Sequence, residues 1–214
     1  MIAALRLTVR GGLAGVWVRG ELPPGPVVWA ANHHSWWDPF IAGELLAGTG
    51  RRMVLLADAA NIRRYGFARH VGAIGTDEMR AALAAVRDGA VLVVYPEGRL
   101  LPPGHPGPLA PGAAWCARRA PARLCSAAVR VLLRGGQYPE AYVQVGEVGT
   151  GGSRAEVTGR LEERLREDLA GIDRLGATAD SGQPLPGFTR VVRGRRSWDE
   201  RVDVARGILA WPRR

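Results

Sequence analysis

The chain has 214 residues, 47% apolar and 23% charged, which suffices for one full core and excludes wholesale disorder. Its net charge is +9, and with no lysine present all 29 cations are arginines. Arginine forks onto phosphate and is weakly hydrated, so the charge implies a phospholipid surface, a phosphorylated substrate or nucleic acid as partner, unless it is compositional bias.

Ile2, Leu5, Val9 and Leu13 recur at helical spacing, with Arg6 and Arg10 elsewhere on the wheel. The pattern predicts a short amphipathic helix within residues 1–14, either lying in a lipid boundary or packed on the core. Arg6 and Arg10 also interrupt the apolar segment, so no cleavable signal is expected. No apolar run reaches the ~18 residues of a membrane-spanning helix. Residues 16–20 read as a strand, Pro23, Pro24 and Gly25 as a turn, and Val27, Val28, Trp29, Ala30 and Ala31 as a buried strand.

Asn32, His33, His34, Ser35, Trp36, Trp37 and Asp38 follow, with Pro39 suited to a first helical turn and Phe40, Ile41, Leu45 and Leu46 continuing it. On a regular helix, the His33 to Asp38 spacing leaves the side chains about 140° apart. They meet only if His33 lies in the strand-to-helix turn, which Ser35 as a cap allows. An imidazole held by Asp38 through one nitrogen keeps the other for a hydroxyl proton. The plainer alternative makes Asp38 a helix cap and the histidines surface residues.

Beyond Gly48 to Gly50, Met53 to Ala57 form a continuous apolar strand, and strand, helix, strand in this order argues for a parallel pair with a right-handed crossover. Arg63, Arg64, Tyr65, Phe67 and Arg69 make a basic, aromatic segment that reads as an anion site or a solvated face. Residues 78–87 predict a helix after a Thr76-Asp77 cap, and 90–95 a buried strand that ends at Pro96, Glu97, Gly98 and Arg99. There Gly98 permits close backbone approach, Glu97 can accept from a substrate hydroxyl, and Arg99 can fork onto phosphate.

Strands are expected over 123–131 and 141–146, and a helix over 155–172 with Val157, Leu161, Leu165, Leu169 and Ile172 on one stripe. Cys116 and Cys125 lack metal-ligand spacing and read as small buried residues of a reducing compartment. No metal site is expected, because the four histidines have no companion cysteines. The last forty or so residues carry Arg190, Arg193, Arg195, Arg196, Arg201, Arg206, Arg213 and Arg214 with Trp198 and Trp211. That mixture suits a phospholipid interface, and no nucleic-acid-binding signature accompanies it.

Asn-His-x-Ser-x-x-Asp after one buried strand, then Tyr95-Pro96-Glu97-Gly98-Arg99 after another about sixty residues on, resembles the glycerolipid acyltransferase family, which includes the lysophosphatidic acid acyltransferases. The resemblance covers roughly residues 16–149. It implies an α/β single domain over 15–172, with a mostly parallel central sheet flanked by helices as in glycerol-3-phosphate acyltransferase-like folds. Residues 1–14 would then be an N-terminal helix and 173–214 a basic extension. It further implies an O-acyltransferase with no cofactor, taking acyl-CoA or acyl carrier protein as co-substrate and a lysophospholipid as acceptor. His33 would be the general base, Asp38 its orienting partner, and Glu97, Gly98 and Arg99 the acceptor's hold. The implied place is cytoplasmic, peripheral at the inner face of the cell membrane, with no nucleic acid partner.

The chain departs from the family's pattern at Glu78, where the family has a phosphate-binding arginine. Arg63, Arg64, Arg69 or Arg80 would have to substitute. Arg99 follows Gly98 directly, where the family often has a threonine first, and the 123–131 block lacks its usual prolines. The acceptor therefore stays open to another lipid, a glycolipid or an amino-acid lipid, and a non-catalytic basic membrane or nucleic-acid binding module stands as the alternative class.

Overall fold

The computed structural model describes residues 2–202. Eight strands form one sheet in the order β4-β3-β5-β2-β6-β7-β1-β8. They are β1 (Gly15–Arg19), β2 (Val27–Ala31), β3 (Met53–Ala57), β4 (Ala73–Gly75), β5 (Val91–Val94), β6 (Arg123–Leu132), β7 (Glu140–Val148) and β8 (Thr189–Arg193). From β4 to β6 every neighbouring pair is parallel. β7 then turns antiparallel to β6, β1 runs parallel to β7, and β8 closes the edge antiparallel to β1. The domain is α/β with a mostly parallel sheet.

Strands β2 and β5 are buried at every residue, as a parallel sheet covered on both faces requires. Alternation along each strand divides the core in two. On one side Trp29, Ala31 and Val93 meet Val9 of α1 (Ile2–Gly12), Leu13 just after it, and Ile41 and Leu46 of α2 (Asp38–Gly48). On the other, Val28, Ala30 and Leu92 meet α4 (Met79–Arg87), α5 (Gly112–Arg119) and α6 (Arg154–Thr178). A short helix, α3 (Ala59–Arg64), and a 3-10 turn over Gly66–Val71 link β3 to β4.

The N-terminal helix packs on the domain. Val9 and Leu13 are fully buried, and Arg6 and Arg10 both pair with the buried carboxylate of Glu44 on α2, at 3.0 and 2.8 Å. Gly12 lies against the Trp37 ring, where a Cβ would collide, which explains a glycine at this helix end. Among the described residues no helix is long and apolar enough to cross a membrane.

Two expectations need correction. The helix expected to end at residue 172 runs to Thr178, started by a capping box between Ser153 and Glu156. A domain boundary at 173 therefore falls inside α6. The segment beyond it is also not wholly an appendage, since β8 pairs with β1 and Trp198 N donates to Gln137 Oε1 at 2.9 Å. Backbone pairing completes a sheet edge whatever the side chains, so an arginine-rich strand carries little hydrophobic signal. Arg206, Trp211, Arg213 and Arg214 lie outside the described residues, as do the side chains of Ile2 and Leu5.

Glu44→Ala removes the carboxylate that ties α1 to α2. Because both arginines are about half exposed, the expected loss is modest, about 1–2 kcal/mol in urea unfolding, with faster amide exchange in α1.

Candidate active site

The site begins where β2 stops pairing through its backbone. Buried Asn32 takes over with its side chain: Nδ2 donates to Val129 O at 3.1 Å, and Oδ1 accepts from Val129 N at 2.7 Å. The amide imitates one more strand residue, so the main chain is released to turn while its root stays fixed to β6.

His33 is the first residue of that turn. Its Nδ1 lies 3.0 Å from Asp38 Oδ2, and its ring stacks on Tyr95 with centroids 4.4 Å apart. The side chain is 22% exposed. With Nδ1–H donated to the carboxylate, Nε2 is left as the basic nitrogen. Asp38 Oδ2 also accepts from His34 N and Ser35 N, each at 2.9 Å. The helix-cap reading does not hold, since Trp37 is the N-cap of α2 without a side-chain cap bond and His34 is buried; Asp38 instead closes the turn before α2 with the same oxygen that holds the imidazole. Ser35 Oγ accepts from Trp37 N at 3.2 Å. Asp38 Oδ1 and Tyr95 Oη are buried without a hydrogen-bond partner among the described residues. Burial, and then the nearby Asp38, push the Tyr95 phenol well above its usual range, so it stays protonated.

The second turn follows β5. Gly98 N donates to Tyr95 O at 3.0 Å and Gly98 adopts φ +69°, a left-handed conformation that suits glycine. Glu97, expected to face the acceptor, is instead buried, with no exposed side-chain area. Its Oε2 accepts from His33 N at 2.5 Å, and its Oε1 from His34 Nε2 at 3.1 Å and Gly107 N at 2.9 Å. Burial alone would raise its pKa, but the His34 bond and the two backbone donors outweigh it and hold the carboxyl below its usual range. Leu101 N donates to His33 O at 2.8 Å, so the loop after Arg99 crosses the first turn. Arg99 itself is exposed and has no hydrogen-bond or ion-pair partner among the described residues.

The structure thus brings His33, Asp38 and Glu97 into one bonded cluster with Gly98 and Arg99 beside it, and leaves Arg69 and Arg64 out. Arg69 pairs with Glu78 at 3.0 Å, and Gly75 N donates to the same carboxylate at 3.0 Å. The acidic residue at the position of the family's arginine is thereby occupied internally. Arg69 lines a cavity of about 610 Å³ with Arg6, Glu44, Arg51, Arg52 and His70, a cavity that does not include His33. Arg64 is exposed over the Tyr65 ring at 5.4 Å.

Sequence reasoning missed Asn32 as a strand substitute, Tyr95 as the stacking ring, and Arg130, whose Nη1 donates to His34 Nδ1 at 2.8 Å. A readable signal existed only for Arg130, a cation set inside a strand among small and apolar residues, whereas Arg123 stands at that strand's exposed start. Among the described residues no three His, Cys, Asp or Glu side chains are grouped to hold a metal ion.

Residues 16–130, more than half of the chain, match the family model described as Acyltransferase. Comparison with curated proteins gives no match. Among solved structures, the chain is similar to PlsC, the 1-acyl-sn-glycerophosphate (LPA) acyltransferase from Thermotoga maritima, with a TM-score of 0.60 and 16% identity over 75% of this chain and 73% of that one.

A carboxyl held below its ordinary value stabilises the fold above that value, and the contribution disappears as pH falls through the lowered one. The stability advantage of the natural chain over Glu97→Gln is therefore expected to be full near neutrality and to shrink below about pH 4.5. Urea unfolding of both chains across that range measures it.

Proposed function

The chain belongs to the acyltransferase family, and from that premise we propose that it transfers a fatty acyl group from a thioester, on coenzyme A or acyl carrier protein, to a hydroxyl of a lysophospholipid-like glycerolipid. The observation that carries the reading is the 3.0 Å bond from His33 Nδ1 to Asp38, on a partly exposed side chain whose Nε2 has no hydrogen-bond partner among the described residues.

His33 Nε2 takes the proton of the acceptor hydroxyl as its oxygen attacks the thioester carbonyl. That attack forms the new C–O bond and a tetrahedral oxyanion, whose collapse restores the carbonyl, breaks the C–S bond, and returns the proton from the imidazolium to the departing thiolate. Asp38 fixes the ring and stabilises its charged form during that interval. Tyr95 keeps the imidazole plane from rotating by stacking on it. Arg99 is the free guanidinium at the turn, and its planar fork suits an acceptor phosphate. Glu97 acts from beneath by fixing the His33 peptide and does not touch substrate.

A lipid acceptor implies work at a lipid surface, and the end of the sheet that carries His33 is fitted for one. Because β2, β5 and β6 are parallel, the segments after them lie at one end of the sheet. Trp36, Leu100 and Leu133 are exposed in those segments, and Trp198 is tied to the same end through Gln137. Tryptophans among arginines suit an interface with anionic lipid. The reading we propose is of a peripheral protein on the cytoplasmic face of the cell membrane, without a nucleic acid partner.

Incubation with acyl-CoA, acyl carrier protein thioester and a panel of lysolipids, with products read by mass spectrometry, tests the assignment. His33→Ala is expected to lower acyl transfer by about 10²–10⁴-fold while vesicle binding persists. Full activity in that variant would instead favour a binding module. Replacing Trp36 and Trp198 with alanine is expected to weaken sedimentation with anionic vesicles while preserving turnover of a detergent-dispersed acceptor.

A further inference from the structure

Arg130 belongs to no step of the reaction above, yet it is buried in β6 with four donors engaged. Its Nε and Nη2 fork onto Asp173 of α6 at 2.7 and 2.9 Å, Nη2 also donates to Gly104 O at 2.6 Å, and Nη1 donates to His34 Nδ1 at 2.8 Å. Guanidinium nitrogens only donate, so His34 Nδ1 accepts and the ring carries its proton on Nε2. That proton is directed to Glu97 Oε1, and Glu97 Oε2 holds the His33 backbone N–H. An unbroken line of hydrogen bonds therefore runs from Asp173 through Arg130, His34 and Glu97 to the peptide of the proposed base.

We propose that Arg130, Asp173 and His34 form a positioning unit through which helix α6 sets the placement of His33. The proposal rests on His33 being the base. Two observations support it beyond the line itself. Arg130 also holds Gly104 while Glu97 holds Gly107, so the same unit pins the loop whose Leu101 bonds the His33 carbonyl. His33 is thereby held from both its N–H and its C=O. Moreover, a buried guanidinium is a poor stabiliser compared with an apolar side chain of similar size, so stability alone does not account for a cation in this strand.

The test compares the full-length natural chain with Asp173→Asn, Arg130→Gln, His34→Asn and His34→Gln. Asp173 is about half exposed, bordering a cavity of about 440 Å³ together with His34 and Arg130, so its neutralisation leaves the core intact. His34→Asn keeps an acceptor for Arg130 and gives up the donor to Glu97, whereas His34→Gln does the reverse. Since the links act in series, both are expected to lower kcat, as are the other two variants, by about 10–100-fold. The acceptor KM is expected to stay within about twofold. The imidazole NMR signals of His33 are expected to move in all four. Unchanged His33 signals with kcat within about twofold of the natural chain in folded Asp173→Asn and Arg130→Gln would overturn the positioning role. So would a kcat loss no larger than the loss of folded fraction. If the natural chain acylates no acceptor, the functional reading fails, while the His33 signals still decide whether the unit positions that ring.

Discussion

One carboxylate, that of Glu97, joins the two turns from which the site is built. It is lifted out of solvent by its place after β5 and accepts three N–H donors, two from the turn after β2 and one from the loop beyond Gly98. A buried ionised group is costly unless its oxygens accept hydrogen bonds, so these donors have little freedom to move without incurring a desolvation penalty. The position of His33 follows from that constraint as much as from its own bond to Asp38. A residue of this kind resembles a binding group in sequence and acts as a structural clamp in space.

The pleat of β2 explains why two adjacent histidines play different parts. Trp29 and Ala31 face the α1 and α2 layer, and His33 continues toward that side to meet Asp38 at the start of α2. Val28 and Ala30 face the other layer, and His34 continues toward it to meet Arg130 and, through it, α6. Period-two alternation thus carries past the last strand residue. Asn32 makes this possible by holding the register with its side chain while the backbone departs. The open chemistry lies on one side of the turn and its bracing on the other.

The arginines, unusually many, are divided by the same tertiary contacts. Arg6 and Arg10 are committed to Glu44, Arg69 to Glu78, Arg130 to Asp173 and Arg134 to Glu140. Net charge therefore overstates how many guanidinium groups are free for an anionic partner. Arg99 is distinguished by having no such partner among the described residues while sitting at the turn beside His33. The exposed Trp36 and Leu100 give the two turns an apolar rim, a combination of forked cation and amphipathic surface that suits the glycerolipid acceptor proposed above.

Apolar runs in β2, β3 and β5, the five-residue stripe of α6 and the His33 to Asp38 spacing were legible in the chain, because alternation, helical period and local turns act over short separations. They were enough for an α/β domain, for the proposed base and its partner, and for the family resemblance that residues 16–130 bear out. What the chain could not disclose was partnership over long separations: whether Glu97 looked outward or inward, whether α1 lay free or against Glu44, and which of the arginines would be consumed. Those choices turn on which groups meet, 38 and 34 positions apart for Arg6 and Arg10 with Glu44, 43 for Arg130 with Asp173 and 64 for His33 with Glu97, and only folding, by removing them from water together, makes one pairing cheaper than the rest.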